Sequence, residues 1–395
     1  MTDLVRLFPD SADLMARVSD GAADRERHCV DPYEQLEMVR KSGLTALTLD
    51  ESLGGPGGTV VDLMTFVTDL AEADPNVAHI LRSHYLQPQM VRRLPPGPVR
   101  DRWAAEIRAG QIFGNATSER DGALGTAQYA TRLIPTGTGW KLSGAKYYST
   151  GTAFADWVMV VAHLDDRRIA RINVPLDRPG VEVQDDWDGF GQHRTGTGTT
   201  TFTDVAVTED DIVQVTDPDE RRVASEVPLM QLYLQALVAG ILRSVVTDAR
   251  DLLAGRTRTF DHAPSPTPAH DPVLLATIGR LASTAYAVES MVLSAAADID
   301  EAYASERAGM PDPALFARAS RSAALVQVHA GEAALAAATA LFDVGGASAA
   351  SRAKNLDRHW RNIRTLTLHN PASYKAIAIG DLLVNSAPLP ANGYF

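Results

Sequence analysis

The chain has 395 residues, 45% of them hydrophobic, a single cysteine and a net charge of −12. That length can bury a sizeable core and hold two or three domains. The acidic balance, with no basic run to offset it, excludes a protein that wraps nucleic acid, and one cysteine excludes an intrachain disulfide and fits a reducing compartment. Cys29 has no nucleophile motif around it and reads as an ordinary small apolar residue. The N-terminus M-T-D-L-V-R-L-F-P-D shows no signal peptide. No segment approaches the roughly twenty apolar residues of a membrane span. The expectation is a soluble cytoplasmic protein whose partners are small molecules or other proteins, with no nucleic acid and no membrane.

In chain order, residues up to about 112 read as helices broken by turns. One stretch runs from Asp13 to Ser42, then the turn E-S-L-G-G-P-G-G at 51–58, then Val60 to Arg93, closed by L-P-P-G-P. From 113 to about 220 the pattern shortens to β-branched and aromatic runs: W-V-M-V-V-A at 157–162, I-N-V-P at 172–175 and T-T-T-F-T-D-V-A-V at 199–207. Long Ala/Leu-rich helices return from 221 to about 370, within a C-terminal region reaching 395. One helix is predicted to begin at Asp271-Pro272, where Asp caps and Pro suits the first turn. Another runs from about Pro313 to Phe342 and stops at Gly345-Gly346. The fold class is therefore α+β, mostly α: a helical N-domain, a small central β-barrel-like domain and a C-terminal four-helix bundle. H-A-P-S-P-T-P-A-H at 262–270 reads as a surface loop between bundle helices.

Three segments carry chemistry. Phe113 to Ala155 contains F-G-N-A-T-S-E-R-D-G-A-L-G and W-K-L-S-G-A-K-Y-Y-S-T-G-T-A-F-A, while Arg358 to Pro371 reads R-H-W-R-N-I-R-T-L-T-L-H-N-P. No Asp or Glu occurs between Asp357 and Asp381. A third segment, A-H-I-L-R-S-H-Y at 78–85, holds two histidines; on a continuous helix His79 and Ser83 would share a face and His84 would lie about 100° from Ser83. Two histidines so placed point different ways, so no metal site is expected.

In their order and spacing these segments resemble the acyl-CoA dehydrogenase superfamily over nearly the whole chain, and more closely its flavin-dependent monooxygenase branch, which includes the dibenzothiophene monooxygenases. The resemblance implies that Asn115, Thr117 and Ser118 line the flavin, that Asn115 and Thr150 approach the reactive N5/C4a side, and that Tyr148 forms a packing wall. Short hydroxyls and backbone suit a ring edge that presents donors and acceptors. Arg256 and Arg258 in R-T-R-T-F, with Gly345, Gly346 and Ser348 in F-D-V-G-G-A-S, take the place of the cofactor's phosphate-binding groups, often supplied by a neighbouring subunit. Asp343 stands where the dehydrogenases carry Gln, which leans toward FMN over FAD.

The same resemblance separates two chemistries. The dehydrogenases carry a catalytic Glu near the position of Leu366 and Thr367, where this chain has no carboxylate. The monooxygenases read R-x-x-R-T-H-x-x-H-D-P there; this chain keeps the second histidine as His369 and replaces the first with Leu366. In that branch reduced flavin and dioxygen form a C4a-hydroperoxide that oxygenates the substrate. His369, with an ordinary pKa near 6.5, is expected to act as acid/base or to hydrogen-bond the peroxide. His79 is the second catalytic candidate. Ser83, which stands where an aromatic residue is found in the dibenzothiophene enzymes, is expected with His84, Trp187 and Leu366 to line the substrate pocket. T-G-T-G-T at 195–199 lacks the strand-to-helix setting of a dinucleotide fingerprint, so a separate NAD(P)H:flavin reductase is expected to supply reduced flavin. The expected enzyme is a homotetramer or homodimer that hydroxylates or oxygenates an indole-, polyketide- or thiophene-like substrate. An acyl-CoA dehydrogenase, or a non-catalytic flavin-binding protein of the same fold, is the alternative.

Overall fold

The structure, a computed structural model, describes residues 4–120, 129–217, 226–390 and 395. Its N-terminal helices are α1 (Leu4–Leu7), α2 (Ser11–Ser19), α3 (Ala22–His28), α4 (Tyr33–Ser42), α5 (Val60–Ala73), α6 (Pro75–Ile80), α7 (Gln87–Arg93) and α8 (Pro98–Arg108). Both stretches read as continuous helix are thus divided. Gly21 at φ 68° and Pro32 punctuate the first. In the second, Asp74 accepts the backbone N–H groups of Asn76 and Val77 and so starts a new helix with Pro75 in its first turn. Farther on, Pro88 has no N–H to give the carbonyl of His84, so residues 84–86 form only a 3-10 turn.

This break overturns the helical-wheel reading of residues 79–84. His84 turns inward instead of toward a substrate pocket: it is fully buried, its Nε2 lies 2.7 Å from the carbonyl of Thr45, and its ring packs against Tyr85 and Phe113. Ser83 is also buried, and its carbonyl accepts the N–H of Leu86.

Eight strands follow: β1 (Phe113–Ala116), β2 (Arg132–Thr136), β3 (Gly139–Lys146), β4 (Trp157–His163), β5 (Ile169–Pro175), β6 (Val181–Gln184), β7 (Thr199–Val207) and β8 (Ile212–Thr216). They form one sheet in the order β6-β7-β3-β2-β4-β5-β8, with β1 parallel to β4. A single pair, Arg132 with His163, joins β2 to β4. Among the described residues β1, β6 and β8 each pair with a single strand, within the small β domain the sequence predicts. Alternation sends Val158, Val160 and Ala162 of β4 into a core with Leu133, Leu142, Ile172, Val174 and Phe202, while Phe113 and Met159 join the helical core on the other face.

The C-terminal region comprises α9 (Val227–Ala254), α10 (Pro272–Arg307), α11 (Pro313–Gly345), α12 (Asp357–Thr367) and α13 (Ala372–Asn385). Asp271 caps α10 and Gly346 at φ 58° ends α11, as the sequence predicts, and Asp312 caps α11 in the same way with Pro313 following it. Helices α9, α10 and α11 pack together, α5 lies against α9 and α10, and α13 lies against α11. Helix α13 extends beyond the stretch read as helical. The N-terminal helices end at Arg108 and the sheet begins at Phe113; the expected second boundary near 220 falls within 218–225, outside the described residues. Two segments, α9 and Pro313–Ala350, are long and apolar enough to cross a membrane, contrary to expectation. Most of α9 is buried inside the bundle, as suits a core helix.

Burial lowers the His84 pKa to about 4, against a weaker opposing pull from the Thr45 hydrogen bond. The unfolded chain therefore binds a proton that the folded chain excludes below pH 6.5. The sign follows: this contribution is fully present above about pH 6.5 and is lost as pH falls toward 4, at about 1.4 kcal/mol per pH unit. Urea unfolding across this window should show a His84→Phe variant less stable at pH 7.5 but with a shallower loss on acidification than the parent.

Candidate active site

Three segments meet at one cleft: the end of α6 with the turn after it, the β6–β7 connection, and the α12–α13 junction. The first supplies His79 and Arg82, the second Trp187 to Thr197, and the third His369 and Asn370. Arg82 spans the cleft, with its Nε and one terminal nitrogen on the carbonyl of Met230 at 3.3 and 3.1 Å. Its other terminal nitrogen lies 3.1 Å from Nε2 of His369. A guanidinium can only donate, so His369 Nε2 accepts and the neutral ring carries its proton on Nδ1.

His369 is solvent-accessible although protein crowds it, as befits a side chain lining a concave cleft. Burial, followed by the charges of Arg82, His79 and Lys375, pushes its pKa well below 6.5, while a side-chain hydrogen bond with Asn370 opposes the shift. This corrects the expectation of a histidine titrating near neutrality: His369 is neutral there, with its proton on Nδ1. Asn370 fixes the junction, donating to Gln231 Oε1 at 2.9 Å and accepting from Gln327 Nε2 at 2.6 Å.

His79 is brought to the same cleft, with its Nδ1 2.9 Å from Oε1 of Gln192. Burial and then Arg82 lower its pKa to about 3, against the hydrogen bond from Gln192. Sequence reasoning missed Arg82 and Gln192. Only the break in α6, which the prolines signalled, turns Arg82 rather than His84 toward the site.

The expected ring-side residues also gather. Thr117 Oγ1 donates to Asn115 Oδ1 at 2.8 Å, and the Asn115 backbone exchanges hydrogen bonds with the Thr152 hydroxyl. Thr150 Oγ1 lies 2.9 Å from that of Thr197. Tyr148 adopts a left-handed backbone at φ 57°, which leaves its ring 51% exposed and edge-on to Trp187 at 5.9 Å. Trp187 is held by its indole N–H on the carbonyl of Gly191. Ser118 contributes a carbonyl that accepts from Tyr147 N. Nearby, Ser149 Oγ and Gln192 Nε2 are buried without a protein partner. Accessible aromatic walls beside hydroxyls, amides and spare donors fit a planar heterocycle with polar edges. The Asp121 to Gly125 part of the motif lies outside the described residues.

Two expected positions stand apart. Leu366 is packed in the main core with Ile363 and is no cleft wall in this chain. The phosphate candidates cluster elsewhere, around a cavity of about 350 Å³ lined by Arg256, Gly345, Ser348 and Lys354 together with Asp248 and Asp251. Arg256 is tied to the carbonyls of Val344 and Arg258, and the Arg258 side chain is exposed. Gly345 serves packing, since a Cβ there would meet Ala349 Cβ at 2.7 Å; Gly346 has open space above it. Among the described residues no hydrogen bond or ion pair joins this cluster to Asn115, Tyr148 or Thr150.

Residues 114–205 match the acyl-CoA dehydrogenase middle domain and residues 232–374 its C-terminal domain. The chain belongs to the acyl-CoA dehydrogenase superfamily. Within the superfamily it is 27% identical to a probable FMNH2-dependent monooxygenase, SfnC, of Pseudomonas putida, over 96% of this chain and 95% of that protein. It is 28% identical to a dibenzothiophene monooxygenase of Mycolicibacterium goodii over 93% and 91% of the two chains. The crystal structure of TdsC from Paenibacillus sp. A11-2 with FMN and indole superposes with a TM-score of 0.91 at 26% identity, covering 99% of this chain and all of that one.

A buried ion pair holds the ring-side strand. Lys146 Nζ donates to Glu119 at 2.8 Å and to the Thr117 carbonyl at 3.0 Å, and Glu119 also accepts from Ala130 and Thr131. Burial alone would raise the Glu119 pKa, but these hydrogen bonds hold it at about 2, whereas burial lowers Lys146 to about 8. The two shifts pull opposite ways on ionisation; the dense donor set on Glu119 favours the charged pair at neutrality. Lys146→Met should lower the unfolding free energy by about 3 kcal/mol, measured by urea denaturation, and should weaken FMN binding through the released 115–119 segment.

Proposed function

We propose that this chain is the oxygenase component of a two-component, FMN-dependent monooxygenase acting on a hydrophobic aromatic or sulfur-containing heteroaromatic compound. The observation that carries the reading is His369, kept neutral by burial and then by Arg82 on its Nε2, beside His79 held by Gln192. Whole-length similarity to monooxygenases named for FMNH2 and dibenzothiophene supports it, as does the shared fold with TdsC, determined with FMN and indole. Those names, with Asp343 near the phosphate candidates, favour FMN over FAD.

Reduced flavin bound here would supply the electrons that activate dioxygen, in the finer form of this reading through a C4a-hydroperoxide. Tyr148 and Trp187, in edge-to-face contact, would supply an aromatic wall for the ring, and Asn115, Thr117 and Thr150 would present polar groups to its edge. Arg82 on Nε2 holds His369 in its Nδ1–H tautomer beside the reacting centre this reading assigns to the cleft. One oxygen atom enters the substrate and the other leaves as water. Thr195 to Thr199 runs into a strand rather than a helix N-terminus, which leaves the chain reliant on a separate NAD(P)H:flavin reductase.

The separation of the phosphate cluster from the ring residues fits a homo-oligomer in which one copy's Arg256, Gly346 and Ser348 serve its partner's flavin. Exposed apolar side chains along α13, Tyr374, Ile377, Leu383 and Val384, supply a surface for association. Light scattering should find a homodimer or homotetramer, and Ile377→Asp with Val384→Asp should shift it to smaller species with weaker FMN binding.

The direct test is turnover with 18O-labelled dioxygen, enzymatically reduced FMN and dibenzothiophene or indole as probes. One labelled oxygen per product molecule is expected. His369→Ala should lower product formation at least tenfold while dioxygen is still consumed and released as hydrogen peroxide. Loss of flavin binding in that variant would contradict the role given to His369.

A further inference from the structure

Beneath the cleft lies a buried polar network that the catalytic reading does not use. Glu26 of α3 is 5% exposed. Its Oε2 accepts the side-chain amides of Asn76 on α6 and Asn362 on α12, both at 2.9 Å, while Arg361 approaches Oε1 at 3.4 Å. Salt bridging of the neighbouring Arg25 to Asp74, the cap of α6, keeps α3 against this site.

The chemistry of that arrangement has a direction. An ionised carboxylate accepts and cannot donate, so both asparagines must turn their NH2 groups to Glu26. Each Oδ1 is thereby aimed away, at the β6–β7 connection. There Asn362 Oδ1 accepts the backbone N–H of Gln192 at 2.7 Å and Asn76 Oδ1 accepts that of Arg194 at 3.3 Å. Gln192 sits between these anchors at φ 54°, a left-handed conformation that a non-glycine residue holds only when its surroundings demand it. From that position its side chain reaches Nδ1 of His79 at 2.9 Å.

We propose that Gln192 is the positioning residue for His79, and that Glu26 sets its geometry through the fixed amide orientations of Asn76 and Asn362. Gln192 Oε1 accepts His79 Nδ1–H, which leaves the Nε2 lone pair of His79 as its free site. Both histidines are then Nδ1–H tautomers that differ in what is engaged: His79 keeps Nε2 as an acceptor, whereas Nε2 of His369 is taken by Arg82. His79 is the ring that can accept a proton or hydrogen bond from a ligand. This deepens the monooxygenase reading and rests on it for the word catalytic, but the positioning itself is a property of the chain alone.

The test follows each histidine separately, by C2–H deuterium exchange read by mass spectrometry as a function of pH on the full-length protein. The groups facing His79 are Arg82, His369 and Gln192. Gln192→Glu preserves the acceptor and adds a negative charge beside Nδ1, so the His79 exchange midpoint should rise by about 1–3 pH units while that of His359, which is paired with Asp248, stays fixed. Glu26→Gln places a donor among donors, releases the asparagine amides and should change His79 exchange without touching His79. A His79 profile unmoved by Gln192→Glu overturns the positioning role. Movement in Gln192→Glu but none in a folded Glu26→Gln variant overturns the part assigned to Glu26. With the oxygenase assay run in parallel, Gln192→Met should lower kcat and raise peroxide release with little change in KM. Exchange shifts without any oxygenase activity in the parent would refute the monooxygenase reading and leave the positioning intact.

Discussion

A carboxylate that can only accept hydrogen bonds, enclosed where three parts of the chain meet, organises this molecule. Glu26 draws one amide from the N-terminal helices and one from the C-terminal region, and both pass their carbonyl oxygens to the connection leaving the sheet. The cleft exists because these segments are held in register there. Removing such a carboxylate leaves several buried groups unpaired at once, each costing about 1–3 kcal/mol, so the site's geometry and the association of the three parts are the same problem.

Arg82 imposes the second constraint. With three donor nitrogens engaged by the Met230 carbonyl and by His369, it acts as a rigid bracket rather than a mobile charge. Burial, and then the positive charge of Arg82, keep both histidines neutral at pH 7. Proton movement in the site therefore depends on which ring nitrogen holds its proton, and hydrogen-bond partners decide that. Lys375 belongs to the same electrostatic setting: burial lowers its pKa to about 8, and it lies over the ring of Phe395.

Much of this was legible in the sequence. The Asp-Pro pairs at 271–272 and 312–313 and the glycines at 345–346 mark the bundle helices because capping is local chemistry. The alternation in 157–162 and 199–207 marks strands for the same reason. His369, Tyr148 and Thr150 stand out through motif resemblance, because each belongs to a short local pattern. Arg82, Gln192 and Glu26 were not found, since each owes its role to partners 50 or more residues away. The misreading of His84 is instructive: the periodic pattern ran across Asp74-Pro75 and Pro88 without a break, although those residues carried the signal that the helix stops. Leu366 likewise sits at the motif's position but faces the core, because α12 buries it beside Ile363.

The most direct measurement of the central claim is a stopped-flow spectrum in which the protein, premixed with reduced FMN, meets oxygenated buffer. The account predicts a persistent C4a-hydroperoxyflavin absorbance that outlives the oxidation of free reduced FMN and is shortened in His369→Ala. Oxidation indistinguishable from that of free flavin, with and without an aromatic or thiophene-like compound, would contradict it.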